Sequence, residues 1–187
     1  MSFTDNQKIV GWAFFIAGIL LIISALLYIY DGATAGDGFE IWTVVAGIGS
    51  LIAAVLYFLF GNKVRKSEIT GKPNILGQYV RVVGINTIII GVFGLGIDIG
   101  GGIVDIILGL VILWIAGKIA DGKTTTADKI IWILLLIIFV VLFICAFIDI
   151  FTVGSIIGII ASICSAIIYL FMAAYLLDND VKKAMGM

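Results

Sequence analysis

The sequence predicts an all-α integral membrane protein of six transmembrane helices, arranged as three consecutive hairpins with both termini in the cytoplasm. Three observations carry that expectation. Hydrophobic residues make up 63% of the 187, against roughly half in a soluble domain, and charged residues only 12%, about half the usual share. A soluble fold needs a polar shell that this chain cannot build, so lipid must replace water over much of its surface. The apolar residues fall into six stretches, each near the ~20 residues needed to cross the hydrocarbon layer. All eleven basic residues gather at one end of those stretches.

The first stretch, residues 9–30, follows Lys8 and precedes Ala33-Thr34-Ala35, which has the small-residue pattern of a cleavage site. It exceeds the roughly 7–15 residues of a signal-peptide core and so reads as a retained spanning helix. The second, residues 41–60, opens behind Asp37 and Glu40, which have capping-box spacing. A polar connection over residues 61–78 holds Lys63, Arg65, Lys66, Lys72 and the only proline, Pro73. The third stretch, residues 79–97, runs into a glycine-dense turn. The fourth, residues 103–120, carries Lys118 near its end, where a cation offsets the helix dipole. Thr125 and Asp128 repeat the capping spacing before the fifth, residues 130–148, and a short turn leads to the sixth, residues 153–177. The chain is a single transmembrane domain.

Orientation follows from charge. Lys8, Lys63, Arg65, Lys66, Lys72, Arg81, Lys118, Lys123, Lys129, Lys182 and Lys183 lie at one face, and the loops 31–40, 98–102 and 149–152 contain no base. Short loops rich in Lys and Arg stay cytoplasmic, which predicts a multi-pass protein of the cell membrane with both ends inside. Trp42, Tyr28, Tyr30 and Phe151 then fall at the outer interface, and Trp12, Trp132, Tyr57, Tyr79 and Tyr175 at the inner one, as amphipathic rings prefer. Each hairpin also shows an Asp ending its first helix (Asp31, Asp98, Asp149) and a glycine in its second (Gly47, Gly109, Gly158). A two-helix unit restores its own orientation, so these would be parallel repeats about a pseudo-threefold axis along the membrane normal.

The chemistry available is sparse. There is no histidine, and Cys145 and Cys164 sit inside apolar runs without CxxC spacing. No nucleophile–base pair, metal cluster or cofactor motif is legible. The sequence therefore predicts a non-enzymatic protein without cofactor, whose partner is the bilayer and not a nucleic acid. No charge sits near mid-membrane, which argues against a proton-coupled pump.

The candidate sites are few. Asp31, Asp98 and Asp149, with Asp105, could make an acidic vestibule that gathers cations, although solvated helix-end carboxylates are the plainer account. The hairpin from Gly91 to Asp105 holds Gly91, Gly94, Gly96, Gly100, Gly101 and Gly102, with Asp98 and Asp105 bracketing the last three. This end of the third span could unwind and aim carbonyls, with the two carboxylates, at a cation, the plainer account being a tight turn. Asn86 is the clearest polar group within a span and the candidate substrate contact, with Thr87 beside it. Gly154, Gly158, Ser162 and Ala166 recur at four-residue spacing, a small-residue face suited to a helix of the same chain, a second protomer or a membrane-complex partner.

Three hairpins in this length, the Ala17-Gly18-Ile19-Leu20-Leu21-Ile22-Ile23 run and the glycine of each return helix resemble the HdeD-like family of small membrane proteins. That resemblance implies the six-helix fold and an association with acid stress, and it supplies no catalytic residues. Ala13-Phe14-Phe15-Ile16-Ala17 resembles instead the docking patch of the substrate-binding S-components of vitamin transporters, which are six-helix proteins of similar length. Three functions follow: an HdeD-like non-enzymatic protein, a small-molecule or cation transporter or its binding subunit, and an accessory subunit of a membrane complex. A transporter predicts a polar cavity lined by Asp98, Asp105 or Asn86. A packing protein predicts a solid core.

Overall fold

The computed structural model describes residues 6–34, 40–120, 125–152, 154 and 156–187. These form α1 (Gln7–Ala33), α2 (Ile41–Arg65), α3 (Lys72–Gly94), α4 (Ile99–Ala120), α5 (Thr126–Thr152), α6 (Ile156–Leu176) and the short α7 (Asn179–Ala184), with no strand among the described residues. The first six are long and apolar enough to cross a membrane. The most extensive contacts are within α1–α2, α3–α4 and α5–α6, the three expected hairpins. α2 then packs on α3 and α1 on α6, whereas α4 and α5 barely touch.

The helices outrun the apolar stretches that announced them. The polar connection expected over residues 61–78 shrinks to residues 66–71, because apolar length marks where hydrocarbon ends and not where a helix must stop. α2 continues through Lys63 and Arg65, cations suited to its last turn. α3 starts early because Pro73 fits the first turn of a helix and Gly71 supplies the positive φ of 87° before it. At its other end α3 stops at Gly94, short of the expected Ile97, and the turn occupies only residues 95–98. Gly100, Gly101 and Gly102 are helical, with Gly102 N–H donating to the Asp98 carbonyl at 2.9 Å. The departure from helix is thus confined to the end of the expected third span, and α4 is regular from Ile99.

Of the two expected caps, one forms and one changes. Thr125 donates through both its N–H (2.6 Å) and its Oγ1 (2.7 Å) to Asp128 Oδ2, and Asp128 is fully buried. Glu40 is itself the N-cap of α2 and accepts from Thr43 Oγ1 at 2.8 Å; its expected partner Asp37 lies outside the described residues. Lys123 and part of the expected start of the sixth span lie outside them as well.

Glycine sets the closeness of the first two hairpins. A Cβ on Gly18 would stand 2.6 Å from Phe58 Cα, and one on Gly61 2.6 Å from the Phe15 nitrogen. In α3–α4 a Cβ on Gly91 would meet the Gly102 carbonyl oxygen at 2.8 Å. Without a hydrophobic drive between helices in lipid, such backbone approach is a principal source of packing energy.

Burial is polarised along the bundle. The large, fully buried side chains, among them Phe14, Val64, Ile75, Leu76, Phe171, Met172 and Tyr175, lie in the half that carries the basic residues. That end is latched by Trp132 Nε1–H donating to the Leu176 carbonyl at 2.7 Å and by a 2.6 Å ion pair from Lys72 to Asp178. Val181 and Met185 seat the C-terminal segment there, both fully buried. At the opposite end the large side chains face outward, among them Leu27, Tyr30, Trp42, Ile103 and Phe151.

Candidate functional site

Polarised packing leaves a cavity of about 700 Å³ in the middle of the bundle, lined by residues of all six spanning helices. Its floor, toward the basic end, is aromatic. Phe14 stands 5.2 Å from Tyr79 and 5.5 Å from Tyr57 by ring centroids, and Tyr79 stands 6.0 Å from Phe139. Tyr57 and Tyr79 meet edge to face with ring centroids 6.4 Å apart, and Tyr169 of α6 completes the polar part of the floor. Aliphatic walls come from Leu20 and Leu21 of α1, Ile112 and Ile115 of α4, and Leu135 and Leu142 of α5.

Four further polar side chains line the cavity: Ser24, Asn86, Thr87 and Ser165. A hydroxyl on a helix can satisfy itself, and Thr87 does so by donating to the Val83 carbonyl at 2.9 Å. The neighbouring Asn86 carries an acceptor, Oδ1, that a helix carbonyl cannot satisfy. Its Oδ1 is buried and has no hydrogen-bond partner among the described residues. An orphaned buried acceptor costs about 1–3 kcal/mol, which a donor delivered by a bound molecule would recover. No charged residue lines the cavity among the described residues.

The carboxylates fall elsewhere. Asp31, Asp98 and Asp149 are exposed, Asp105 is half-buried beside Gly91, and none of the four lines the cavity. No group of three or more metal-ligating side chains occurs among the described residues. The α6 stripe turns mostly inward: Ala166 is buried, Ser162 is half-buried and Gly158 lines the cavity, leaving Gly154 exposed. Both cysteines are free, Cys145 exposed and Cys164 buried. Of the candidate cation and substrate residues, Asn86 is the one that reaches the cavity.

The tyrosines were the residues that sequence reasoning misplaced. An interfacial belt was expected to hold Tyr57, Tyr79 and Tyr175, but Tyr79 and Tyr175 are buried and Tyr57 lines the cavity. Trp132 is also turned inward, whereas Trp12 remains on the outside as expected. No family model matches the chain, and no curated protein or solved structure matches it.

Proposed function

We propose that the protein is a non-enzymatic membrane protein that binds a small, uncharged, largely apolar molecule in this cavity, as a transporter or the substrate-binding subunit of one. The observation that carries the reading is the unpartnered Asn86 Oδ1 facing a mostly apolar chamber. Small-molecule sites typically occupy about 300–1,000 Å³ and combine apolar walls with a few placed polar groups. The volume and lining here match that pattern. Because no charged side chain is present to balance an ion, an uncharged ligand is favoured. Because Oδ1 can only accept, the ligand carries an N–H or O–H donor. The same features weigh against a cation carrier built on Asp98 and Asp105.

In this reading the basic end is cytoplasmic, as the confinement of Lys and Arg to it supports. The aromatic floor then closes the chamber toward the cytoplasm. The matched roles of Gly47 against Ile29 and Gly109 against Ile88 support a parallel repeat of the first two hairpins. Gly158 departs from that role by lining the chamber. HdeD-like kinship agrees with the six-helix architecture and adds no site.

The test uses protein extracted in mild detergent and examined by native mass spectrometry, together with thermal unfolding in the presence of N-phenyl-1-naphthylamine, an uncharged aromatic amine. The wild type should retain a small molecule or be saturably stabilised by the probe. Asn86→Leu should weaken both effects, and Ala161→Phe, which fills the chamber, should abolish them. A wild type with neither retained molecule nor probe response would overturn the reading.

A further inference from the structure

A second concavity lies outside the chamber, on the lipid-facing side of the basic end. A groove of about 860 Å³ runs between α3 and α4 and reaches Ala184 of α7. Two glycines open it: a Cβ on Gly117 would meet nothing within 4 Å, and one on Gly77 only Ile119, at 3.4 Å. Along α3 the groove is edged by Asn74, Gln78, Arg81 and Ile85. Their spacing of four, three and four residues puts them on one helix face, polar toward the helix start and apolar beyond. Leu113 of α4 continues the apolar wall.

Arg81 is the residue that needs an explanation. It stands nine residues into α3, roughly 13 Å along the axis from Lys72, at a rise of 1.5 Å per residue. Two of the other cations of this end have their partners within the protein. Arg65 donates to Asn62 Oδ1 at 2.8 Å and lies over the rings of Phe15 and Trp12, at 4.1 and 4.5 Å. Lys72 pairs with Asp178. Arg81 has no ion pair, hydrogen bond or ring contact among the described residues, and Gln78, one turn before it on α3, turns its amide to Asn74 Oδ1, donating at 3.2 Å. An arginine within a spanning helix reaches toward the interface and takes a counter-charge there. Lipid phosphate lies at that depth, and its oxygens match the guanidinium fork.

We propose that this groove holds one anionic phospholipid of the leaflet at the basic end, its phosphate on Arg81 and an acyl chain along Ile85 and Leu113. Charge complementarity selects the headgroup, and the apolar continuation of the groove selects a lipid over a free phosphate. Basic pockets between spanning helices at this face hold anionic headgroups by the same combination. The site is independent of the central chamber and of what that chamber binds.

The protein in nanodiscs of equal phosphatidylglycerol and phosphatidylcholine, with matched acyl chains, provides the test. Lipids that remain after gentle release are counted by native mass spectrometry. Wild type should retain phosphatidylglycerol about fivefold over phosphatidylcholine, the ratio that one basic residue's attraction near the surface gives. Arg81→Gln should bring the ratio near unity, and Arg81→Lys should keep part of it. Gly117→Leu, which blocks the groove and leaves the charge, should also abolish the preference. Lys66→Gln, an exposed cation away from the groove, should preserve it, and millimolar inorganic phosphate should not displace the lipid. Equal retention of the two lipids by wild type would mean that Arg81 merely reaches water, and would overturn the site. A loss with Lys66→Gln as large as with Arg81→Gln would reduce it to diffuse surface charge and overturn it equally.

Discussion

Replacing Gly18 with valine is the most informative perturbation of the fold, because the structure sets both its sign and its size. A Cβ at Gly18 would lie 2.6 Å from Phe58 Cα, 2.8 Å from Phe58 Cβ and 2.9 Å from the Phe58 nitrogen. Relaxed carbon contacts fall near 3.5–4.0 Å, so α1 and α2 must part locally by about 1 Å. Rotation of a side chain cannot relieve this, since two of the three atoms are backbone. Overpacking of this kind costs about 1–3 kcal/mol, and the branched γ-carbons place valine toward the upper end. Valine is a slightly better helix former than glycine, which returns only a few tenths of a kcal/mol. The net expectation is a loss of about 2 kcal/mol, read by reversible unfolding in mixed micelles. Gly117→Val is the matched control: its Cβ has open space, so its stability should stay within about 0.5 kcal/mol of wild type. Equal behaviour of the two variants, in either direction, would refute the claim that glycine contact holds this hairpin.

Two further outcomes test other parts of the argument. Trp132→Phe removes the 2.7 Å bond to the Leu176 carbonyl and leaves that acceptor unpaired at the end of α6, so it should cost about 1–3 kcal/mol in the same unfolding assay; a change below ~0.3 kcal/mol would mean water replaces the indole there. Cysteines introduced at the exposed positions Ser67, Ala127 and Thr152, in a background lacking Cys145 and Cys164, report topology: an impermeant maleimide should reach the first two from one side and the third from the other, and labelling of Ser67 and Ala127 from opposite sides would break the three-hairpin order.

How much of this was legible in the sequence depends on the range over which each signal acts. Six spans and their pairing follow from apolar length and turn spacing, which are local, and the hairpin contacts agree with them. Boundaries were less accessible: hydrophobicity could not reveal that α2 continues to Arg65, because a helix does not need lipid to persist. Pro73 was the available clue to the start of α3, being compatible with a first helical turn. Asn86, which the structure places in the cavity lining, was legible as a polar group within a span because a carboxamide in an apolar run must find a partner. Tyr57 and Tyr79 were not, because a tyrosine at a span's end looks alike whether its ring meets headgroups or another helix; only the contacts among α1, α2 and α3 separate the two. The acidic residues show the converse: a shared position in each hairpin does not bring side chains into the cavity, and none of Asp31, Asp98, Asp105 and Asp149 lines it.

Closure at one end and a chamber toward the middle have a common physical cause. In lipid, large aliphatic side chains gain little by moving from hydrocarbon into a protein core, so Leu27, Ile103 and Ile144 can face outward at little cost. Each hairpin therefore tightens through its small residues, without any strong drive to draw the three hairpins onto one another. Polar groups obey a different rule, because an unpaired donor or acceptor is costly wherever water is scarce. The indole of Trp132 and the pair Lys72–Asp178 each find their partner on a different helix or connecting segment, and both lie toward the basic end. Those bonds tie the hairpins together where they occur, and the aromatic rings fill the space between. Beyond that layer no inter-hairpin polar contact among the described residues draws α4 and α5 together, and the space they leave is the chamber. Asn86 sits just past the last tie, as an acceptor that no described residue satisfies.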